Sequence, residues 1–394
     1  MLSRPPAPPM QPMAMASRPD WDIFCKVIDN LGDIGVCWRL ARQLAGEHGL
    51  RVRLWVDDLE SFSLLCPQLD PLRSLQRVLG IEVCRWATLF PAACPARVVL
   101  ETFACRLPVS FVERMAQQSP SPAWINLDYL SAEDWVSSWH ALPSPHPQLP
   151  LIKYFFFPGF SADTGGLLRE QDLLARRAHV AANTELQIGV WDEVGFAPPP
   201  VGTLLISLFA YENPAIGDLL HAWESSDTPI CCVVPLSRTL AAIEAFAGNR
   251  LGAGDSVCRG ALDIRILPFL EQSRYDQLLW LCDLNFVRGE DSFVRAQWAA
   301  RPLVWHIYPQ ENAAHRVKLD AFLALYCADL PTTSSAVLRE FWQAWNLGRI
   351  TIEHWRNFAQ SIDRQRTHAQ RWAERLARQD DLCTRLLCFS RSLL

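Results

Sequence analysis

Along nearly the whole chain, strand-length apolar runs alternate with stretches whose apolar positions recur at helical spacing. Residues 21–28 read as a strand, residues 29–35 as a polar loop with glycines at 32 and 35, and residues 36–45 as a helix ending at Gly46. A second strand follows at 51–56, closed by Asp57 and Asp58. This β-α-β opening predicts the start of an α/β domain. Residues 97–100 and 123–127 read as further strands, which run out into Glu101 and Asp128 on one rim. Residues 151–157 add another. The glycine-rich, aromatic stretch 158–166 then reads as a linker or cleft loop, placing a domain boundary within 160–195.

The second half repeats the pattern. Strands at 202–209, 229–235 and 262–267 alternate with helices at 215–224 and 238–247. An apolar run at 278–287 has a strand-like end, and the polar hexapeptide from Arg288 to Phe293 makes a turn. Helix formers resume at 294–300, and residues 303–308 read as the next buried strand. From about residue 334 the chain is helical and rich in arginine. The expected class is α/β, with two doubly wound, Rossmann-like domains facing each other across an interdomain cleft. The arginine-rich tail reads as a solvated helix face packed back across both domains, with a basic docking surface for an acidic partner as the alternative.

Composition narrows this picture. A length of 394 residues favours two domains, and a chain that is half hydrophobic with mean hydropathy near zero can bury two cores. The longest apolar stretch, 149–160, is broken by Lys153 and prolines and falls short of the ~20 residues of a membrane span. A soluble protein is expected. The net charge of −5 gives no general pull toward nucleic acid or membrane. Thirteen cysteines scattered through apolar runs, without a CxxC pair, suit buried free thiols in a reducing cytoplasm. Residues 1–19 are rich in Pro, Met and Ala without a continuous apolar core, and read as a disordered leader or as a start codon assigned upstream of Met13 or Met15.

Two places carry candidate chemistry. The first is Asp29 with Asp33 in the glycine loop, which has neither the G-x-G-x-x-G dinucleotide spacing nor a P-loop Gly-Lys-Ser/Thr. Asp33 either caps the following helix or acts with Asp29 in a cleft, one of the two as a general base. The second is the hexapeptide. A strand, a glycine turn and a helix start present free backbone N–H groups to an anion, and Arg288 adds a cation suited to a diphosphate. Asp291 or Ser292 would cap that helix. An ordinary β-α-β unit accounts for the same residues without a ligand.

Longer blocks resemble a known family. FCKVIDNLGDIGVCWRL at 24–40 looks like the opening signature of the protein-arginine rhamnosyltransferases of translation elongation factor P, the EarP family. WINLDYLSAE at 124–133, FFFPGF at 155–160, TGGLLRE at 164–170, RGEDSFVRAQW at 288–298 and VWHIYPQ at 304–310 are similar to further blocks of that family. The resemblance spans roughly residues 21–390, with Leu31 and Tyr275 among the variable positions inside motifs.

The resemblance implies the glycosyltransferase B architecture: an acceptor-binding domain at 20–175, a nucleotide-sugar domain at 185–365, and a C-terminal helix at about 370–394 packing back on the first. It implies inverting transfer of rhamnose from dTDP-β-L-rhamnose to an arginine of the factor, in the cytoplasm, with neither metal nor cofactor. Asp33 takes the general-base role with Asp29 beside it, and Glu290 stands with the catalytic carboxylates. Arg288 would face the diphosphate, with Asp291, Ser292 and Gly32 around the nucleotide sugar and Tyr211, Phe269 and Gln272 around the thymidine. The alternatives are another sugar-nucleotide enzyme of this architecture, such as an epimerase or a transferase with a different donor, or a non-catalytic nucleotide-sugar or translation-factor binding module.

Overall fold

The computed structural model describes residues 18–29, 31–310 and 314–394. Most of the expected leader, with its alternative start, and Asn30 in the first motif lie outside the described residues.

The first half contains β1 (Trp21–Cys25), α1 (Gly32–Gly46), β2 (Val52–Val56), α2 (Leu59–Leu65), β3 (Leu75–Val78), β4 (Ile81–Arg85) and β5 (Val98–Thr102). It continues with α3 (Val109–Ala116), β6 (Ala123–Leu127), α4 (Trp135–Trp139), β7 (Pro143–Pro145) and β8 (Ile152–Phe156). The strands form one sheet in the order β3-β4-β2-β1-β5-β6-β8-β7. Its interior is parallel, and antiparallel β3 and β7 close the two edges.

The helices α5 (Leu173–Ala182) and α6 (Thr184–Glu193) lead into β9 (Leu204–Leu208), α7 (Ala215–Glu224), β10 (Ile230–Pro235), α8 (Leu240–Ala247), β11 (Ser256–Arg259) and β12 (Leu262–Leu267). Next come α9 (Gln272–Leu281), β13 (Leu284–Arg288), α10 (Asp291–Ala299), β14 (Leu303–His306) and α11 (Ala314–Tyr326). The chain ends in α12 (Thr332–Asn346), α13 (Ile352–Ala359), α14 (Ile362–Ala377) and α15 (Leu382–Leu393). The second sheet runs β11-β12-β10-β9-β13-β14, parallel except for the β11 edge.

Strand order sets where the two candidate stretches emerge. β1 lies between β2 and β5, and β9 between β10 and β13, so each sheet reverses its winding at its central strand. Loops leaving the carboxyl ends at such a reversal splay apart and leave a crevice. The segment after β1 carries Asp29 and Asp33, and the segment after β13 carries Gly289 and Glu290. The two candidate stretches therefore lie at the carboxyl ends of the central strands, beside these crevices.

Two expectations need correction, and a third is sharpened. Helix α1 starts at Gly32, so Asp33 lies in its first turn and the polar loop ends before it. The run 278–287 divides: its first part completes α9, which ends at Leu281, and its strand-like end is β13 from Leu284, as expected. Glu101 lies within β5, where it accepts from Trp124 Nε1 at 3.0 Å and pairs with Lys153 at 3.3 Å, so it holds strands together instead of facing the rim.

The joint between the halves is packed. A Cβ on Gly165 would lie 2.5 Å from the Phe156 ring, and Gly166 adopts φ +74 against the Asp380 carbonyl, a conformation glycine takes without strain. Helices α5 and α6 contribute Leu173, Val180 and Trp191 to the second core. The C-terminal helices bind the halves together: Trp372 of α14 enters the second core, while Leu382, Leu386 and Leu387 of α15 enter the first. Their arginines divide. Arg356, Arg364, Arg371 and Arg378 are exposed, whereas Arg385 donates to the carbonyls of Ser161, Ala162 and Thr164 in the joint. Among the described residues, no helix is long and apolar enough to cross a membrane.

Candidate active site

Asp33 is only 3% exposed at the start of α1. Its Oδ2 accepts the backbone N–H groups of Ile28 and Asp29, each at 2.9 Å. It thus folds the preceding loop onto the helix start and does not cap its own helix, which has no side-chain cap. Burial pushes its pKa above the ordinary carboxylate value; the two N–H donors and the Tyr129 hydroxyl oppose that shift and the neighbouring Asp29 reinforces it.

The facing half contributes the turn after β13. Gly289 has φ +58. A Cβ there would lie 2.8 Å from Asp29 Oδ2 and 2.9 Å from the Tyr211 hydroxyl, so the two halves approach at a position only glycine fits. The Tyr211 hydroxyl donates to Asp29 Oδ2 at 2.5 Å. Glu290 accepts the Leu130 N–H at 2.9 Å. Burial pushes its pKa up to about 8, Asp33 and Asp128 add to the shift, and the Leu130 N–H and Lys318 oppose it. Arg288 lies over the rings of Phe209 and Tyr211, at 4.6 and 4.8 Å.

Helix α10 begins without a side-chain cap, contrary to expectation. Ser292 Oγ instead accepts the Arg288 N–H at 3.0 Å and donates to the Arg288 carbonyl, which locks the turn. Asp291 faces Arg39 of α1 at 2.7 Å.

Two clefts result. One encloses about 640 Å³ between Phe209, Leu236, Phe269, Gln272, Arg288, Asp291 and Ser292 on the second domain and Leu31, Arg39 and Leu65 on the first. The other encloses about 810 Å³ and is lined by Asp33, Tyr129, Glu290, Trp305, Tyr308 and Lys318. Asp29, Gly32 and Gly289 line both, so the clefts meet there. Arg288 Nη1 and Gln272 Oε1 are buried without a hydrogen-bond partner among the described residues. Unpaired polar atoms in a cleft wall are positioned for a polar ligand. Cation, uncapped helix start and aromatic wall suit an anion that carries a ring, and the carboxylates of the second cleft suit a cationic group.

The sequence-derived residues therefore fall into two neighbouring groups. Arg288, Asp291, Ser292, Gln272 and Phe269 share the first cleft with Asp29 and Gly32, while Asp33 and Glu290 share the second with the same pair. Tyr211 lines neither; it stands behind Gly289 and Arg288, where it supports both. Sequence reasoning missed Arg39, Leu65 and Lys318. Arg39 alone left a trace, as a charge within the otherwise apolar run 36–41.

A family model described as elongation factor P (EF-P) rhamnosyltransferase EarP matches residues 21–391. A Pseudomonas putida protein-arginine rhamnosyltransferase is 49% identical over 375 residues, covering 95% of this chain and 99% of that one. A solved structure described as the structural basis for EarP-mediated arginine glycosylation of translation elongation factor EF-P is 38% identical, with TM-score 0.67 and coverage of 95% and 99%. Phytolacca americana UGT2 complexed with UDP-2fluoro-glucose and pterostilbene shares the fold at 10% identity, with TM-score 0.52 and coverage of 95% and 99%.

Proposed function

The chain belongs to the EarP family and is a protein-arginine rhamnosyltransferase of glycosyltransferase B architecture, and on that premise we propose that it transfers rhamnose from dTDP-β-L-rhamnose to an arginine of EF-P with inversion. The observation that carries the reading is the meeting of the two clefts at Asp29, Gly32 and Gly289. A donor with its nucleotide in the first cleft brings its anomeric carbon to that junction. Phe269 and Gln272 then face the thymidine, and Arg288 with the start of α10 faces the diphosphate. The acceptor guanidinium enters through the second cleft.

Arginine is a weak nucleophile because its guanidinium stays protonated, with a pKa above ~12. Asp29 holds the cation, Glu290 gives up its proton as the guanidinium settles beside it, and the two aim one nitrogen at the anomeric carbon. That nitrogen attacks from the face opposite the diphosphate. The new C–N bond forms as the bond to the phosphate oxygen breaks, and Asp33 takes the nitrogen's proton. Its raised pKa brings a buried carboxylate closer to that task. Arg288 and the helix start stabilise the charge on departing dTDP. The free thiols fit a cytoplasmic enzyme.

The test is intact-mass analysis of EF-P after incubation with enzyme and dTDP-rhamnose. One deoxyhexosyl increment on the factor is expected. An unchanged mass with an active preparation of factor and donor rejects the reading.

A further inference from the structure

The donor cleft is nominally a property of the second domain, yet its two helix starts are held by a residue of the first. Arg39 is 4% exposed on α1. Its Nε donates to Asp291 Oδ1 at 2.7 Å, and its Nη1 and Nη2 donate to the two oxygens of Asp276 at 3.0 and 2.9 Å. Nη2 also reaches the Gln272 carbonyl at 3.4 Å. One planar guanidinium thereby grips the first residues of both α9 and α10.

The grip extends into the cleft wall. Gln272 Nε2 donates to Gly35 of α1 at 3.0 Å and to the other Asp291 oxygen at 3.1 Å, so Gln272 is tied to the opposite domain as well. Behind this layer, Arg295 pairs with Asp276 at 2.7 Å and with Glu170 at 2.9 Å. Asp276 is thus shared by two arginines, one from each domain, in a site with little water. A fork of this shape satisfies several acceptors in one fixed orientation, which lysine's single ammonium does not reproduce.

Gln272, Asp291 and Arg39 all line the first cleft. Gln272 and Asp291 bond each other within the second domain, but their contacts with Gly35 and Arg39 exist only while the domains are together. We propose that Arg39 is a positioning residue for donor binding: it sets Gln272 and Asp291 for the nucleotide sugar and couples donor affinity to domain closure. The proposal rests on the donor reading given above. Because coupling is reciprocal, a bound donor favours the closed arrangement by the same factor that closure favours the donor.

The test uses the full chain. Arg39→Lys keeps one positive charge but not the fork. Asp276→Asn, which loosens the same grip from the second domain, is read in parallel so that a folding defect in one variant does not decide the outcome. Thermal unfolding first establishes which variants fold, and calorimetry with dTDP then measures affinity. Folded variants are expected to bind dTDP about 10-fold more weakly or worse, within the usual span of interdomain coupling. The donor KM should rise while the KM for EF-P stays near that of the unmodified protein, and small-angle scattering should show less compaction on adding dTDP. Unmodified dTDP affinity and unmodified compaction in a folded variant overturn the proposal. A general loss of folded protein would instead move donor and acceptor parameters together. Failure of the donor reading itself is distinguishable, since the unmodified chain would then not bind dTDP.

Discussion

Asp33→Asn separates chemistry from scaffolding more cleanly than other changes at the site. Both loop N–H groups bind the same carboxylate oxygen, Oδ2. An asparagine that places its carbonyl oxygen there keeps both bonds and the turn, and gives up only the second oxygen and the negative charge. Burial opposes that charge, as the raised pKa shows. For a group whose folded pKa is raised, stabilisation is complete below the unfolded value and is lost as pH rises through the folded one. At neutral pH the substitution therefore removes a desolvation cost, and the unfolding temperature should hold or rise. Loss of a positioned general base costs about 10²- to 10⁴-fold in rate. That corresponds to roughly 2.7–5.4 kcal/mol of barrier at about 1.36 kcal/mol per decade. The assay is single-turnover transfer to EF-P at saturating donor, with dTDP calorimetry alongside. Expected are unmodified dTDP affinity and a rate reduced by at least about 100-fold. Turnover within about threefold of the unmodified enzyme would refute Asp33 as the base, and a parallel loss of dTDP affinity would assign it a scaffolding role.

Other outcomes follow from the same geometry. Arg288→Met should weaken dTDP binding by about 1.5–3 kcal/mol, the usual worth of hydrogen bonds to a charged group, and calorimetry showing undiminished affinity would remove Arg288 from the diphosphate site. Gly289→Ala forces a left-handed residue and a Cβ against Asp29 and Tyr211; transfer should fall by about 10²-fold, the scale set by ~1 Å misplacement, and a normal rate would show that the junction tolerates the displacement. Glu290, with its pKa raised to about 8, contributes stability that diminishes as pH rises from its unfolded value toward 8. Buried His306, lowered from 6.5 to about 3, has the opposite slope but acts below 6.5. Between those limits the unfolding temperature should decline with pH, and Glu290→Gln should flatten the decline; an unaltered slope would contradict the desolvated carboxyl. Transfer should continue in excess EDTA, and its loss, with recovery on adding a divalent ion, would argue against metal-independent transfer.

Much of this was legible from the chain, for identifiable reasons. Parallel strands buried on both faces, such as Val98–Thr102 and Ile230–Pro235, give unbroken apolar runs, and the helix Ala215–Glu224 follows its 3.6-residue period. Long motif blocks brought Asp33, Arg288 and Glu290 forward with their neighbours. The edge strands Leu75–Val78 and Ser256–Arg259 were not legible, because edge positions alternate weakly and carry polar residues. The start of α1 was misplaced because Gly32, Asp33 and Gly35 read as loop residues, although tertiary contacts hold them in a helix. Arg39 and Leu65 were missed because their role comes from approach of the opposite domain. Arg39 and Asp276 are partners 237 positions apart, and no local pattern encodes that pairing. The capping expectation failed similarly: Asp291 and Ser292 are sound cap residues, but a cross-domain arginine and a tight turn claim them.

The most direct test of the central claim, a donor cleft meeting an acceptor cleft with the base opposite the leaving group, is the anomeric configuration of the sugar on EF-P. NMR of the enzymatically modified factor reads it on the arginine itself. An α-linked rhamnose made from the β-linked donor is the predicted result. A β linkage, or rhamnose attached elsewhere than arginine, would contradict the account.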